Sequence, residues 1–290
     1  MKPPPFEYHA PGDLGAALRT LAEVRGKVLA GGQSLIPMLN MRLTAPEYLV
    51  DINRVASLGG IDVTEAGVRV GALARHSEVE RAGAHPLLTR ALKLVAHPVI
   101  RNRGTVVGSL VHADPAAELP AVLAVLGGSV RVARWEGHTQ VVRDVPAADF
   151  FTGPMESAVQ PGELAVSAFF PALGFRTGDA FEEVARRHGD YALAGVCAVV
   201  TLDEEAYVTA AKVACIGVGP VPVVVDVSEA SGHCPVHELD WAEVGRLVQS
   251  AVEPEDDIHA SAAYRRHLVG VLAERALWKA AREGAAIRGA

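Results

Sequence analysis

A glycine-rich segment that follows a short apolar run is the first part of the sequence suited to chemistry. Residues 27–30 are typical of a buried strand, and Gly31-Gly32-Gln33-Ser34 leads from it into the apolar run 35–43. Glycine lets the backbone approach a ligand closely, and the free amides at the start of a helix attract phosphate oxygens. The segment predicts a pyrophosphate cradle, although a strand, a glycine turn and a helix also occur as a plain connection.

A second segment, residues 101–120, carries hydroxyl groups and a carboxylate on a glycine-bearing loop. Thr105, Ser109 and Asp114 suit the many hydroxyls of a ribityl or ribose chain. The alternative role for Asp114 is structural: it is placed to be the N-cap of the next helix, with Pro115 at the first helical position. The two roles are compatible, because a capping side chain at the tip of a loop can still face a ligand.

The remaining reactive residue types form no recognisable catalytic or metal site. The three cysteines are odd in number and widely spaced, so they indicate neither a disulfide framework nor a zinc or iron–sulfur ligand set. The histidines His76, His85, His97, His112 and His138 show no H-x-x-H or H-E-x-x-H spacing, and no G-x-S-x-G elbow is present. The first glycine segment lacks both the G-x-G-x-x-G fingerprint and the lysine of a P-loop. We therefore expect no catalytic residue and no metal ligand in this chain.

Composition restricts the class of protein further. Half of the 290 residues are hydrophobic and 21% are charged, which is typical of a folded α/β or α+β protein. A net charge of −7 without any long basic block argues against nucleic acid and against an anionic membrane surface as partners. There is no signal-like N-terminus and no apolar run of membrane-spanning length, so we expect a cytoplasmic location without an integral membrane segment.

Hydrophobic periodicity places both segments within a two-domain chain. Asp13 is expected to cap a helix whose apolar stripe runs along residues 14–24. Residues 150–154 are predicted to be a loop and 171–179 a linker, with a domain boundary near residue 175. Beyond it, strands at 181–185, 195–202 and 211–217 and helices at 241–251 and 261–282 are typical of an antiparallel sheet covered by helices.

The two segments together resemble the flavin-binding medium subunits of the carbon monoxide dehydrogenase and xanthine dehydrogenase family. They read AGGQSLIP at 30–37 and RNRGTVVGSLVHADPAAELP at 101–120. Further matches are PPFEY at 4–8, LVDI at 49–52, DFFTG at 149–153, RRHGDYA at 186–192 and SAAYRRHL at 261–268. The likeness runs from residue 3 to about residue 280 and so covers nearly the whole chain.

The resemblance implies an α+β fold and a role in electron transfer. The expected fold is a vanillyl-alcohol-oxidase-like (PCMH-type) FAD-binding domain, 1–175, with two α+β subdomains of about 1–57 and 58–175. A C-terminal domain, 176–290, follows as an antiparallel sheet with helices. FAD is expected in this chain, with the molybdenum cofactor on a large partner subunit and [2Fe-2S] clusters on a small one, assembled as a dimer of heterotrimers. The chain would accept electrons from the clusters and pass them to an external acceptor.

The resemblance also implies a set of cofactor contacts. Pyrophosphate contacts fall on Ala30, Gly31, Gly32, Gln33 and Ser34. The flavin and ribityl side falls on Thr105, Gly108, Ser109 and Asp114, and Tyr191 is expected near the isoalloxazine. Leu35, Arg103, Gly104 and Leu164 complete the expected set.

Two positions depart from the family pattern. Val107 stands where the family usually has the first glycine of a pair. A β-branched residue does not adopt positive φ cheaply, so we expect ordinary β geometry there; altered FAD binding is the alternative. Gln33 stands where the carbon monoxide enzymes commonly have histidine, which weakens the case for carbon monoxide as the substrate. A scaffold that keeps the fold without FAD and a stand-alone FAD oxidase remain the rival hypotheses.

Overall fold

The N-terminal part is a small parallel sheet with two helices. A computed structural model of the protein describes residues 2–232 and 234–287. The three strands pair in the order β1-β3-β2, so β3 lies at the centre. In chain order the elements are β1 (Glu7–His9), α1 (Leu14–Val24), β2 (Lys27–Leu29), α2 (Leu35–Asn40) and β3 (Tyr48–Asp51). Asp13 caps α1 as expected, because its carboxylate accepts the backbone N–H of Ala16.

The next part is an antiparallel sheet of five strands with helices inserted between its strands. The strand order is β4-β5-β10-β6-β7. It begins with β4 (Ile61–Thr64) and β5 (Gly67–Gly71), followed by the helices α3 (His76–Ala82), α4 (Pro86–Leu94), α5 (Pro98–Arg101), α6 (Val106–His112) and α7 (Glu118–Val125). The sheet is completed by β6 (Ser129–Glu136), β7 (Thr139–Pro146) and β10 (Glu163–Pro171). Between β7 and β10 lie α8 (Ala147–Phe150) and a separate two-stranded sheet of β8 (Phe151–Gly153) and β9 (Glu156–Ser157).

The C-terminal part is a four-stranded antiparallel sheet in sequential order. Its strands are β11 (Thr177–Ala185), β12 (Ala192–Leu202), β13 (Val208–Ile216) and β14 (Val223–Asp226). The helices that follow are α9 (Ser228–Ser231), α10 (Trp241–Ser250) and α11 (Ala262–Ala286). The helices α10 and α11 pack on each other, and α11 lies along β11 and β12.

The C-terminal sheet is buried on both faces. Phe181, Cys197 and Ala214 belong to the same core as the preceding sheet and helices. Val196 and Val213 point the other way, into a second core with α10 and α11. This alternation follows from the two-residue repeat of a strand. The sheet is therefore packed against the preceding part through α7, which is buried along nearly all its length.

The expected α+β class and the C-terminal antiparallel sheet with helices are confirmed, but several local predictions are wrong. Residues 150–154 are not an open loop, since α8 ends and β8 begins there. Asp114 is not a helix N-cap, because α7 begins at Glu118 with Ala117 at that position. The predicted linker 171–179 is shorter, because β10 includes Pro171 and β11 begins at Thr177. The strand β14 was not predicted. Within residues 2–232 and 234–287, no helix combines the length and apolar character needed to span a membrane.

Candidate flavin site

Five consecutive backbone amides lie without an acceptor at the end of β2. Among the described residues, none of the N–H groups of residues 31–35 donates a hydrogen bond to the protein. Gly32 has φ +76°, a conformation that glycine adopts without strain, and the chain then enters α2. Successive free amides in such a turn form an anion-binding concavity.

The first glycine segment touches the second. A Cβ added at Gly31 would overlap the carbonyl oxygen of Arg103 and would lie 2.8 Å from Cα of Gly104. Gly104 is restricted in turn, because its own Cβ would lie 3.0 Å from the ring of His76. The two backbones can meet only because both positions are glycine, which has no side chain. The structure therefore brings residues 30–35 and 103–105 into one site.

An asparagine holds the end of β2 in place. Asn53 donates from its side-chain amide to the carbonyl oxygen of Ala30 at 2.8 Å and to the carboxylate of Asp51 at 2.6 Å. The hydroxyl of Tyr8 donates to the same carboxylate. This chain of hydrogen bonds fixes the carbonyl that immediately precedes the free amides.

An arginine joins the two segments. Arg75 donates from Nη1 to the carbonyl oxygen of Arg103 at 2.6 Å and from Nη2 to Oδ1 of Asn53 at 2.7 Å. Burial, and then the neighbouring charge of Arg103, lower the pKa of the Arg75 guanidinium from its ordinary value. Two guanidinium groups close together beside free amides make this end of the site attractive to an anion such as a diphosphate.

The second segment turns into α6 at Thr105. The hydroxyl of Thr105 accepts the N–H of Gly108 at 3.1 Å and caps the helix. The Ser109 hydroxyl lies 3.0 Å from Nε2 of His76. Burial lowers the pKa of His76 to about 4, so its ring is neutral near pH 7. Val107 has 2% of its surface exposed and lies in α6 with a negative φ; its geometry is ordinary, as expected, but helical instead of β.

Asp114 and Tyr191 lie at the other end of the site, on different parts of the chain. Asp114 is 9% exposed, and its Oδ1 accepts the N–H of Ala116 at 2.9 Å. Tyr191, directly before β12, keeps 58% of its surface accessible although protein surrounds it. This surrounding protein desolvates the phenol and, with the charges of Asp114 and Glu118, raises the pKa of Tyr191 to about 12. The accessible phenol therefore stays protonated near pH 7.

A buried carboxyl pair lies beneath this end of the site. Glu118, at the start of α7, is 6% exposed, and burial followed by the charge of Glu183 raises its pKa to about 8. Burial alone raises the pKa of Glu183, on β11, to about 7. Because these two side chains come from α7 and from the C-terminal sheet, the floor of the site is made by both parts of the molecule.

Leu164 is placed differently from the other expected contacts. It lies in β10, pairs with Ala133 of β6, and has only 2% of its surface exposed. Its side chain is part of the core. A ligand contact at Leu164 would have to use its main chain.

Comparison with known families decides the class of the protein. Residues 4–173 match the family described as the FAD binding domain in molybdopterin dehydrogenase. Residues 179–280 match the CO dehydrogenase flavoprotein C-terminal domain. The chain belongs to the FAD-binding medium subunits of the molybdenum hydroxylases.

Similar proteins span the whole medium subunit. The chain is 38% identical to the 6-hydroxypseudooxynicotine dehydrogenase complex subunit alpha of Paenarthrobacter nicotinovorans, over 97% of this chain and 96% of that protein. It is 34% identical to the carbon monoxide dehydrogenase medium chain of Hydrogenophaga pseudoflava, over 96% and 97%. Among solved structures, quinoline 2-oxidoreductase from Pseudomonas putida 86 superposes with a TM-score of 0.91 at 34% identity, covering 98% of this chain and 99% of that one.

The residues of this medium subunit fit FAD. The unpaired amides of residues 31–35 and the guanidinium of Arg75 match a diphosphate. The hydroxyls of Thr105 and Ser109 and the carboxylate of Asp114 match a polyol chain, since hydroxyl groups both donate and accept. The close approach at Gly31 leaves no Cβ to fill the space between the two segments.

Sequence reasoning missed the residues that hold the two segments together. Asn53 follows the end of β3, the central strand of a parallel sheet, which is a position where functional side chains collect. That signal could have found Asn53. Nothing local marks Arg75 or Glu118, because the partners of both are distant in sequence.

Proposed function

We propose that this medium subunit binds FAD across residues 30–35 and 103–114 and is the point at which electrons leave a molybdenum-containing hydroxylase complex. The observation that supports it most directly is the run of free amides at 31–35 in contact with Gly104. When bound, FAD supplies the redox chemistry: it receives electrons from the [2Fe-2S] clusters of a small subunit and passes them to an external acceptor. Substrate oxidation belongs to a large molybdopterin subunit.

Each proposed contact follows from the chemistry of the residue at that position. The amides from Gly31 to Leu35, after Ala30, hold the pyrophosphate, and Arg103 and Gly104 close the other side of it. The polyol and flavin lie along Thr105, Gly108, Ser109 and Asp114, with the ring of Tyr191 beside the isoalloxazine and the main chain of Leu164 nearby. No residue here acts as an acid or base on the substrate; these side chains bind and orient the cofactor and exclude water.

The partner arrangement is likewise a proposal. Three widely spaced cysteines cannot hold the iron–sulfur clusters, so a separate subunit would carry them. The domain division is placed at the short connection between β10 and β11, near residue 175. We propose a dimer of heterotrimers; the match to nearly the full length of a protein named as a complex subunit and of one named as a medium chain supports a role as one subunit of several.

Cofactor content is the direct test. The chain is produced with its neighbouring subunits, and the visible spectrum and the cofactor released on denaturation are measured. About one FAD per chain is expected. A colourless assembled complex would overturn the proposal in favour of a scaffold subunit, and oxidation of a reducing substrate by the isolated chain would favour a stand-alone oxidase.

A glycine substitution tests the placement of the cofactor. Gly31→Ala puts a methyl group where the Arg103 carbonyl now lies and should weaken FAD binding by at least about tenfold, which corresponds to about 1.4 kcal/mol. Gly12→Ala is the matched control, because a Cβ there meets no atom within 4 Å. FAD affinity is read by fluorescence quenching, with thermal unfolding to confirm that both variants are folded. Equal affinities in the two variants would contradict the proposed pyrophosphate position.

A further inference from the structure

A buried arginine on the C-terminal helix holds two strand ends next to the flavin site. Arg265, in the first turn of α11, has only 7% of its surface exposed. Its Nη1 donates to the carbonyl oxygen of Leu193 at 2.6 Å and to that of Gly217 at 2.9 Å. Leu193 is two residues after Tyr191, and Gly217 directly follows β13. One guanidinium therefore fixes the start of β12 and the end of β13 relative to each other.

The same strand end is tied to the loop that carries Asp114. The N–H of Gly217 donates to the carbonyl oxygen of Pro115 at 2.9 Å. Gly217 has φ +72°, and a Cβ there would lie 2.8 Å from the carbonyl oxygen of Leu193. Glycine is required here both for its conformation and for the close approach. The backbone of the Asp114 loop and the backbone beside Tyr191 are thus joined through two bonded groups, Gly217 and Arg265.

A carboxylate sets the orientation of the guanidinium. Asp257 accepts from Nη2 of Arg265 at 2.7 Å through Oδ2. Its other oxygen accepts the N–H groups of His259 and Ala260. The planar fork of arginine can bond two carbonyls and a carboxylate at once, whereas the single ammonium of lysine cannot reproduce that geometry.

We infer that Arg265 is a positioning residue for the flavin site: through Leu193 and Gly217 it fixes the distance between Tyr191 and Asp114. The inference rests on the proposed function, since it assigns both residues, whose side chains are close neighbours, to one flavin pocket. Arg265 itself does not touch the cofactor. It makes the C-terminal domain part of the FAD-binding site, because it ties the start of β12, next to Tyr191, to the end of β13, which bonds the Asp114 loop.

Two substitutions on neighbouring positions of α11 separate positioning from general stability. Arg265→Met removes the bonds to both strand ends. Arg266→Met is the matched control, because within residues 2–232 and 234–287 the Arg266 side chain bonds only the carbonyl oxygen of Val252, at 3.3 Å. In the assembled complex, Arg265→Met should raise the dissociation constant of FAD by about tenfold or more, and Arg266→Met by less than about twofold. Arg265→Lys should fall between them.

A double-mutant cycle with Tyr191 gives a readout that a purely structural role does not move. If Arg265 acts through Tyr191, then Arg265→Met has a smaller effect on FAD affinity in the Tyr191→Ala background than in the wild type, by at least about threefold. Amide exchange on the FAD-free full chain supplies a second readout. The N–H of Gly217 should exchange at least about tenfold faster in Arg265→Met, because the carbonyl of Gly217 loses its hydrogen bond from Arg265, and should be unchanged in Arg266→Met.

The outcomes are distinguishable from failure of the proposed function. A wild-type complex without FAD overturns the proposed function itself. A wild-type complex with FAD, in which Arg265→Met has equal effects in both Tyr191 backgrounds, overturns the positioning role alone. If Arg265→Met does not fold, Asp257→Asn takes its place, since it keeps Arg265 but removes the charge that orients it; FAD affinity and Gly217 exchange equal to wild type would then overturn the inference.

Discussion

Val107 shows, at the scale of one residue, how a departure from a family pattern can be absorbed. The β-branched side chain lies in the first turn of α6 with a negative φ and is packed in the core. It therefore needs none of the backbone freedom that glycine provides. Its amide stays at the start of the helix, where the main chain is available to a ligand whatever side chain the residue carries.

Replacing this valine by glycine should cost stability and leave FAD binding unchanged. Val107→Gly removes a buried side chain and places glycine in a helix, which together should lower the free energy of unfolding by roughly 3 kcal/mol. The FAD dissociation constant of the folded variant should stay within about twofold of the wild type, since the cleft keeps the same backbone. Urea unfolding and FAD titration measure the two quantities. Tighter FAD binding by the glycine variant would show that Val107 obstructs the cofactor.

At the scale of elements, the site depends on how α3 and the end of β3 hold two loops. Arg75, the residue before α3, bonds Asn53 after β3 and the carbonyl of Arg103 before α6. Gly31 and Gly104 allow the two loops to touch. The hydrogen bonds of Arg75 then fix how the loops are oriented relative to each other. Both ends of Arg75 are charge-assisted bonds, each worth about 1.5–3 kcal/mol when a partner is removed.

Loss of this tie should weaken FAD binding more than it weakens the fold. Arg75→Met should raise the FAD dissociation constant by roughly tenfold to a hundredfold, since about 1.4 kcal/mol corresponds to a factor of ten. Arg75→Lys should recover part of the loss, because it restores the charge without the fork. Arg81→Met, in α3 itself, is the control; in the part of the chain that the structure describes, this exposed arginine bonds only the carbonyl of Ser77 in its own helix. Equal FAD affinities in the Arg75 and Arg81 variants would contradict a tie through Arg75.

The elements that the sequence predicts well are those whose signal is local. The cap of α1 at Asp13 and the three long C-terminal strands follow from turn residues and periodicity in a short window. The prediction of a helix N-cap at Asp114 was wrong, although Asp-Pro before an apolar run is a typical helix start. In the structure Ala113, with φ +51°, ends α6, and a turn follows, so that α7 begins four residues after Asp114. The short strand β14 is set by pairing with β13 and not by its own pattern.

The sequence predicts the glycines and hydroxyl groups of the candidate site, but not the residues that hold them in place. Close approach of two backbones and helix capping each restrict the residue type, so the sequence alone identifies Gly31, Gly32 and Thr105. Arg75 and Glu118 act on the site through partners that are 22 or more residues away in sequence, and so do the two bonds of Arg265 to strand ends. Only the folded arrangement reveals those pairs.

At the scale of the whole molecule, packing the C-terminal sheet against α4 and α7 buries several carboxyl groups. Burial raises the pKa of Glu118 to about 8, of Glu183 to about 7 and of Asp179, on β11, to about 6. Asp179 is also paired with Arg90 of α4 at 2.8 Å. The folded chain consequently holds protons that the unfolded chain has already released. Stability from such groups is lost as the pH rises through the folded pKa.

The FAD-free chain should therefore become less stable between about pH 7 and about pH 9. Burial lowers the pKa of histidines such as His76, so over this window they are neutral in the folded chain and almost entirely neutral in the unfolded chain. They therefore contribute little to the change in stability. The pKa of Glu118 is about 8, so the folded chain loses this proton within the window. As a result, the free energy of unfolding should fall by about 1.4 kcal/mol from about pH 7 to about pH 9. The glutamine of Glu118→Gln cannot ionise, so the free energy of unfolding of this variant should fall by about 1.4 kcal/mol less than that of the wild type. At about pH 9 the variant should be the more stable of the two proteins.

Urea unfolding at both ends of the window measures this difference, with Glu255→Gln as the control. Glu255 is an exposed carboxylate in the segment between α10 and α11, and replacing it should leave the slope of the wild type unchanged. Parallel slopes for the wild type and Glu118→Gln would mean that the Glu118 carboxyl is not held protonated by the packed sheet. A flatter slope for Glu118→Gln alone would show that docking of the C-terminal sheet, and with it the floor of the flavin site, is coupled to one proton on Glu118.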